Sequence, residues 1–481
     1  MNKSDAARKG VLETLPEAEA KPARPESAEA NKGVALAIAA MGSFLTPFMG
    51  SSINIALPLI GKEFSMNAVL LGWVPTSFIL SAAMFLVPFG RIADIYGRKK
   101  TYVCGVSVFT LFSLLSAIAG SAHALIAFRV FQGIGGALMF GTAMAIVTSV
   151  FPPRERGKAL GINTASVYLG LSLGPSLGGF LTHFLGWRSI FFVNLPLGLA
   201  IVMLVLWKLK GEWAEAAGEK IDLAGSVVYS LALVALMYGF SQLPKPLGVW
   251  LTGAGILGIA IFFKWESRVE SPVLDVSLFR RNAVFAFSNL AALINYSATF
   301  AVSFLLSLYL QYIKGLTPQN AGFILVSQPV VMALFSPPAG RLSDKIEPRV
   351  VASIGMALTT AGLAFLVFLS ERTPLSFVLV SLVLLGFGFA FFSSPNTNAV
   401  MSSVEKRFYG VASGTLGTMR LIGQMLSMGI AMLIFAVYMG KVQITPKYYP
   451  LFLSSVRTAF LVFAVLCFGG VFASLARGKV R

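Results

Sequence analysis

Apolar residues in this chain come in runs of about 20, one after another, separated by short polar breaks. A run of that length matches the thickness of a bilayer core and does not fit inside a small soluble domain. The runs predict helices near 34–60, 69–89, 101–120, 124–150, 159–183 and 189–207, then 222–241 and 248–264, then 283–311, 320–337, 350–369, 374–399, 410–439 and 455–475. The expected class is therefore an all-α polytopic membrane protein with about fourteen helices, grouped six, two and six. On this division 1–32 is a polar cytoplasmic tail, rich in Ala, Glu and Lys and expected to be disordered. Residues 33–208 form one six-helix bundle, 209–270 a cytoplasmic linker with two inserted helices, and 271–481 a second bundle with a cytoplasmic end. The first run, from about Val34, is too long for the apolar part of a cleavable signal and is read as an uncleaved first helix.

Composition agrees with the pattern. Of the 481 residues, 56% are hydrophobic and only 12% charged, about half the charged fraction of ordinary soluble domains. The net charge of +18 would suit a nucleic acid, but the basic residues sit in short clusters between apolar runs, on no single face or tail. Nucleic acid is excluded as a partner, and the bilayer is implied. Cys104 and Cys467 both fall inside apolar runs, outside any CxxC or Cys/His spacing, and read as packing residues. No metal site, no cofactor motif, no Walker sequence and no nucleophile elbow is present, so neither an enzyme nor an ATP-driven machine is expected.

The charges also orient the chain. One set of loops carries Arg91, Arg98, Lys99 and Lys100, then Arg154, Arg156 and Lys158, then Lys208, Lys210 and Lys220. The same set continues with Lys264, Arg268, Arg280 and Arg281, then Arg341, Lys345 and Arg349, then Lys406 and Arg407. The alternate loops carry mostly single charges such as Lys62, Arg188, Lys245, Lys314 and Arg372. The basic side should be cytoplasmic, which puts both termini there and requires an even number of spans.

The two six-helix sets echo each other. Gly90-Arg91-Ile92-Ala93-Asp94 follows the second helix of the first set, and Gly340-Arg341-Leu342-Ser343-Asp344 follows the second helix of the other. Such a repeat indicates an internal duplication of six-helix units. Physically, Gly90 permits close helix approach, and Arg91, Asp94 and Arg98 place a breakable charge cluster at a helix end. The longer segment Gly90 to Lys100, with Gly97 before Arg98, resembles the loop 2–3 signature of the major facilitator superfamily. The resemblance gives Gly90, Arg91, Asp94, Gly97, Arg98, Gly340, Arg341 and Asp344 a gating role.

Arg129, within Leu125 to Gly136, resembles the fourth-helix motif of proton-coupled members. Gly161, Gly170, Gly174, Pro175, Gly178 and Gly179 match the fifth-helix motif that the family associates with antiporters. Gly186 to Pro196, Glu266 to Pro272, Tyr309 to Tyr312, and Arg420 within Gly417 to Gly423 are similar to the fourteen-helix drug:proton antiporter family. The resemblance covers roughly 34–475. It implies a monomeric exporter of small amphipathic molecules in the inner membrane, exchanging protons for cargo by alternating access. Asp94, Arg129 and Arg420 are its coupling candidates.

One departure matters. The family's first helix usually carries an acid shortly before Asn-x-Ala-Leu-Pro; here Asn54 to Pro58 is present, but Met49 holds the acidic position. All 20 acidic residues fall in the tail, in loops or at span ends, and arginines do not titrate near neutral pH. His123 and His183 lie near the outer loops and read as interfacial. The expected cavity is therefore neutral to positive, lined by candidates Asn54, Thr76, Gln132, Asn163, Tyr168, Asn289, Asn295, Gln311, Gln328, Asn396, Asn398 and Gln424, each of which could equally bond helix to helix. Neutral, zwitterionic or anionic cargo suits it better than a lipophilic cation. An alternative reading is an exporter or facilitator of neutral or anionic metabolites that has no dedicated proton-carrying acid.

Overall fold

The computed structural model describes residues 25–214, 216, 218, 222–269, 276–405, 409–440 and 442–478. Helices α1 to α7 run Pro25–Glu63, Ala68–Tyr96, Arg98–Ala117, Ala122–Val150, Pro153–Leu185, Ser189–Lys208 and Leu223–Gln242. Helices α8 to α14 run Pro246–Glu266, Ala283–Ile313, Pro318–Ser343, Pro348–Leu366, Leu375–Ser402, Tyr409–Tyr438 and Pro446–Ala476. Each overlies one expected run. Lys220, Lys406, Arg407, most of 1–32 and part of Glu266 to Pro272 lie outside the described residues.

Local chemistry sets many boundaries. Asn67, Ser121, Asn282 and Thr317 cap α2, α4, α9 and α10 by accepting from the backbone N–H three residues on, which satisfies an otherwise orphaned donor. Pro153, Pro246 and Pro348 open α5, α8 and α11, where a missing N–H costs nothing. Several boundaries differ: α1 starts at Pro25 rather than near Val34, α2 runs on to Tyr96 rather than 89, α5 starts at Pro153 rather than 159, and α14 at Pro446 rather than 455. The first turns of α1 open on Pro25, which suits a helix start, and include Glu26, Ala28, Glu29, Ala30 and Lys32, all strong helix formers.

Among the described residues thirteen helices are long and apolar enough to cross a membrane, and α5 supplies a fourteenth crossing. Its 33 residues are diluted with Gly and Ser, which lowers its apolar character. Its pairing with α1 shows that it spans the same depth. The two run parallel, from Lys32–Glu155 (2.9 Å) through Ser43–Asn163 (2.8 Å) to Arg188–Glu63 (2.6 Å). With fourteen crossings, both ends of the chain leave from one face, called here the terminal face.

Candidate functional site

The two six-helix sets meet most closely near the face opposite the termini. Ser307 donates to the Asn54 carbonyl (2.6 Å), and Gln311 donates to the Ile55 carbonyl (3.0 Å) and to Ser307 (3.0 Å). Gln443 donates to the Ser65 carbonyl (2.9 Å), and the Ala68 N–H to the Val442 carbonyl (3.3 Å). A Cβ on Gly179 would sit 2.6 Å from the Pro318 carbonyl, and one on Gly322 would strike the Pro175 carbonyl. Glycine is thus required where α5 crosses α10 backbone to backbone.

The terminal face is different. A Cβ added at Gly90, Gly161 or Gly414 meets nothing within 4 Å. Gly90, expected to permit close helix approach, has α4 beside it at ordinary contact distance, with a Cβ on Gly141 lying 3.7 Å from its Cα, but no helix of the other half against its open side. Contacts between the halves on this side are sparser, with Ser413 on the Met144 sulfur (3.3 Å) and Gly417 near Phe140.

The signature segment, which the structure places on the last turns of α2 and the first turn of α3 rather than after the helix, is bound within its own half. Arg98 pairs with Asp94 (2.7 Å) and donates to Ser149 on α4 (2.5 Å). The loop after α6 then clasps it: Glu212 accepts from the Lys99 and Lys100 N–H groups (2.8 and 3.3 Å), and the Trp213 carbonyl accepts from the Arg98 N–H. Gly97 stands at φ +116° with Glu212 over its Cα, a place no side chain could occupy without strain. Arg91 is half-buried. In the second copy a Cβ on Gly340 would sit 2.8 Å from Ser394 Oγ, Arg341 is exposed, and Asp344 accepts from Asn398 (3.3 Å).

The α5 glycines form a seam against α1. Cβ atoms on Gly170 and Gly178 would lie 2.5 Å from the Phe44 carbonyl and 2.7 Å from Ser52 Cβ, and one on Gly174 would overlap Ser51 Oγ. Spacing of four residues keeps the three on one helix face, so α1 and α5 pack at backbone distance.

Two of the expected cations are buried differently. Arg129 is 1% exposed. It donates to Gln132 (2.5 Å) and to the Val74 carbonyl (3.3 Å), and lies 4.5 Å from the Phe78 ring centre. Gln132 passes the chain on to Ser113 (2.6 Å). This network knits α2, α3 and α4 together, so Arg129 and Gln132 are bound inside one half. Arg420 is only half-buried. It donates to Thr397 (2.8 Å) and lies 5.7 Å from the Tyr296 ring, while its Nε is buried and unpartnered.

The remaining polar candidates divide in the same way. Asn163, Gln311 and Asn396 bond helix to helix, Asn396 by donating to the Ser288 carbonyl (3.1 Å). Thr76 donates to the Gly72 carbonyl in its own helix. Asn54, Asn289 and Asn295 are buried with side-chain oxygens that have no partner, and Asn295 lacks one for its nitrogen too. Tyr168, Gln328 and Gln424 are half-buried. Cys467 packs in the core, but Cys104, expected to pack as well, is exposed on the outer side of α3; a small residue there leaves no void. Of the histidines, His123 and His183 are exposed near the opposite face.

Met49 is fully buried, and its sulfur accepts from the Asn194 side-chain amide (3.1 Å). Among the described residues the acids lie at helix ends or in connections. The membrane interior therefore offers buried cations and neutral polar groups.

The sequence profile of the Major Facilitator Superfamily matches residues 39–286 and 288–479. The chain belongs to the major facilitator superfamily. It is 29% identical over 443 residues to the riboflavin transporter RibZ of Clostridioides difficile (strain 630), covering 92% of this chain and 96% of that one. It is 32% identical over 409 residues to the multidrug resistance protein Stp of Mycobacterium tuberculosis, covering 83% and 75%. The fold resembles a solved inward-facing, unoccupied bacterial homolog of the human lysosomal transporter Spinster, with TM-score 0.65, 17% identity and coverage of 93% and 97%. This chain is accordingly a multi-pass facilitator-superfamily transporter.

Within this facilitator, three features had no clear signal in the sequence. Arg477, at the end of α14, is fully buried and donates to Asn396 (3.0 Å), Ser288 (3.4 Å) and both the hydroxyl and the carbonyl of Ser474. It reads in sequence as one more basic residue past a span. The inserted α7 leans across both halves of the transporter. Tyr229 and Ser230 donate to the Ala83 and Met84 carbonyls of α2, while Phe240 and Met237 pack on Gly429 of α13. Its partner α8 stays outside, with Trp250, Leu257 and Ile261 exposed as a lipid-facing surface would be. At the opposite face Glu63 accepts from Trp187 (2.7 Å) as well as Arg188, and this pairing holds the Arg188 guanidinium above its ordinary pKa.

Proposed function

We propose that this transporter exports small amphipathic molecules, drugs or toxic metabolites, across the inner membrane by alternating access as a monomer. The supporting observation is the asymmetry between its faces: dense contacts between the halves at one, and a half-buried Gly90 with exposed Gly161 and Gly414 at the other. Glycines with open space over them on the terminal face fit a surface that closes in the opposite state. With the basic loops cytoplasmic, the open side faces the cell interior, as an exporter's loading state requires. The similarity to the multidrug resistance protein Stp points the same way. The energy comes from a gradient, and proton antiport is the first reading, with Asp94 as the titrating acid and Arg98 as the partner it releases.

A second reading is favoured by Met49. Where relatives of this type carry an acid, a thioether holds Asn194, so transport of neutral or anionic cargo without a dedicated proton acid is the alternative. Everted membrane vesicles with an imposed proton gradient and a pH-reporting dye separate the two. Cargo that dissipates the gradient in wild type but not in Asp94→Asn supports antiport. Labelled cargo that moves with no proton signal supports the second reading, and no movement of any cargo contradicts export.

A further inference from the structure

Two six-helix halves leave α7 and α8 over, yet the pair is built firmly against one of them. A Cβ on Gly239 would lie 2.7 Å from the Thr252 nitrogen, and one on Gly255 2.7 Å from the Leu236 nitrogen, so α7 and α8 pack backbone to backbone. Asp222 caps α7 and also accepts from the Trp265 indole N–H near the end of α8 (2.9 Å). The two helices therefore form one unit.

Tyr229, Leu233, Leu236 and Met237 make the buried face of α7, while Val227, Leu231 and Val234 point outward. That buried face lies in the groove where α2 meets α13, a meeting marked by Gly72, whose Cβ would sit 2.7 Å from Met432 Cγ. The bonds of α7 to the two sides of the groove differ in kind. On α2, Pro88 has no N–H to give the Met84 carbonyl, and inside a bilayer no water replaces it. Ser230 donates to that carbonyl at 3.4 Å, and Tyr229 to the adjacent carbonyl of Ala83 at 3.1 Å. Trp73, earlier in α2, stands 6.4 Å from the Tyr238 ring. The linker ahead of α7 is fastened to the same half: the Ala216 N–H donates to the Asp94 carbonyl and the Arg98 N–H to the Trp213 carbonyl, both at 2.9 Å. Toward α13, α7 sets apolar Met237 and Phe240 on Gly429, and among the described residues no hydrogen bond joins these two helices. An apolar contact is non-directional, and a methionine side chain repacks readily.

We infer that the inserted pair is a fixed part of the first half, held at the Pro88 break by the positioning residues Tyr229 and Ser230, and that α13 slides along α7 as the halves exchange. This rests on alternating access in the reading above and names the surface that yields. Directional bonds hold one side of α7 and a smooth apolar contact bears on the other, so the halves part at α13. Pro88 stands two residues before Gly90, which fastens the pair to the helix end that carries the gating signature.

The test is pulsed electron paramagnetic resonance on the full chain in lipid nanodiscs, freed of Cys104 and Cys467 and spin-labelled at pairs of introduced cysteines. Val227→Cys with Leu111→Cys measures α7 against the first half, and Val227→Cys with Val411→Cys measures it against α13; all three positions are exposed. Ser65→Cys with Gln443→Cys reports opening of the opposite face. Gly179→Trp wedges that face apart against the Pro318 carbonyl, and Gly322→Trp does so from α10 if the first variant does not fold. With the face open, the Val227–Val411 distance should shift by about 5 Å and the Val227–Leu111 distance by less than about 2 Å. The double variant Tyr229→Phe, Ser230→Ala should broaden the Val227–Leu111 distribution, whereas Ser230→Thr, which keeps the hydroxyl, should not. If Ser65–Gln443 lengthens but Val227–Val411 holds, or Val227–Leu111 shifts as much as Val227–Val411, this inference is overturned alone. An unbroadened distribution in the double variant overturns the role of Tyr229 and Ser230. A Ser65–Gln443 distance that lengthens in neither wedge variant contradicts alternating access itself, and the inference falls with it.

Discussion

Ser307 of α9 donates its hydroxyl to the backbone carbonyl of Asn54 in α1, at 2.6 Å. Each residue sits on the first helix of its own six-helix set, so one bond joins equivalent elements of the two halves. It closes a carbonyl that Pro58, four residues on, cannot reach with an N–H. The closed face is thus partly held by groups that the α1 backbone leaves unpaired.

If that face must open, tying it shut stops transport. The double variant Ser65→Cys, Gln443→Cys, at a pair already joined by a 2.9 Å bond, should lose more than 90% of its cargo flux on treatment with a short bifunctional thiol reagent. Reducible reagents should allow recovery. Flux unaffected by complete cross-linking, read on a gel, would mean that this face does not move.

The α5 glycines make opposite predictions along one helix. Gly174→Ala puts a methyl group on Ser51 Oγ, whereas Gly161→Ala meets nothing. Overpacking of this kind costs about 1–3 kcal/mol, so Gly174→Ala should melt several degrees lower in detergent and Gly161→Ala should not. Equal melting temperatures would show that the α1–α5 seam yields.

Much of this arrangement was legible in the sequence, because span length and glycine spacing are local. Each apolar run became a helix, and Gly170, Gly174 and Gly178 fell on one face as their four-residue interval requires. What was not legible depends on pairings far apart in the chain. Nothing near Gly97 announces that Glu212 will lie over it, and nothing near Arg477 announces Asn396 and Ser288. Polar residues inside spans were the least readable. Gln132, Gln311 and Asn396 bond neighbouring helices, while Arg420 and Tyr168 stay partly accessible, and both fates satisfy the same need for partners in an apolar medium.

Met49 provides a test of coupling. A glutamate at this buried site can accept from Asn194 as the sulfur now does, and burial favours its protonated form. Met49→Glu should therefore lower stability by about 1–3 kcal/mol and, if wild type lacks a dedicated acid, create a proton signal that accompanies cargo. An unchanged signal in this variant would indicate that Asp94 or another group already sets the stoichiometry.

The most direct measurement of alternating access uses two single-cysteine reporters in a chain freed of Cys104 and Cys467. Gly90→Cys reports the terminal face and Gln319→Cys, beside Gly179, reports the opposite one. Labelling rates with a membrane-impermeant maleimide would be followed from each side while cargo and an opposing proton gradient are supplied. The account predicts reciprocal change: Gly90→Cys becomes slower as Gln319→Cys becomes faster. Rates that rise or fall together, or do not change under turnover, would contradict it.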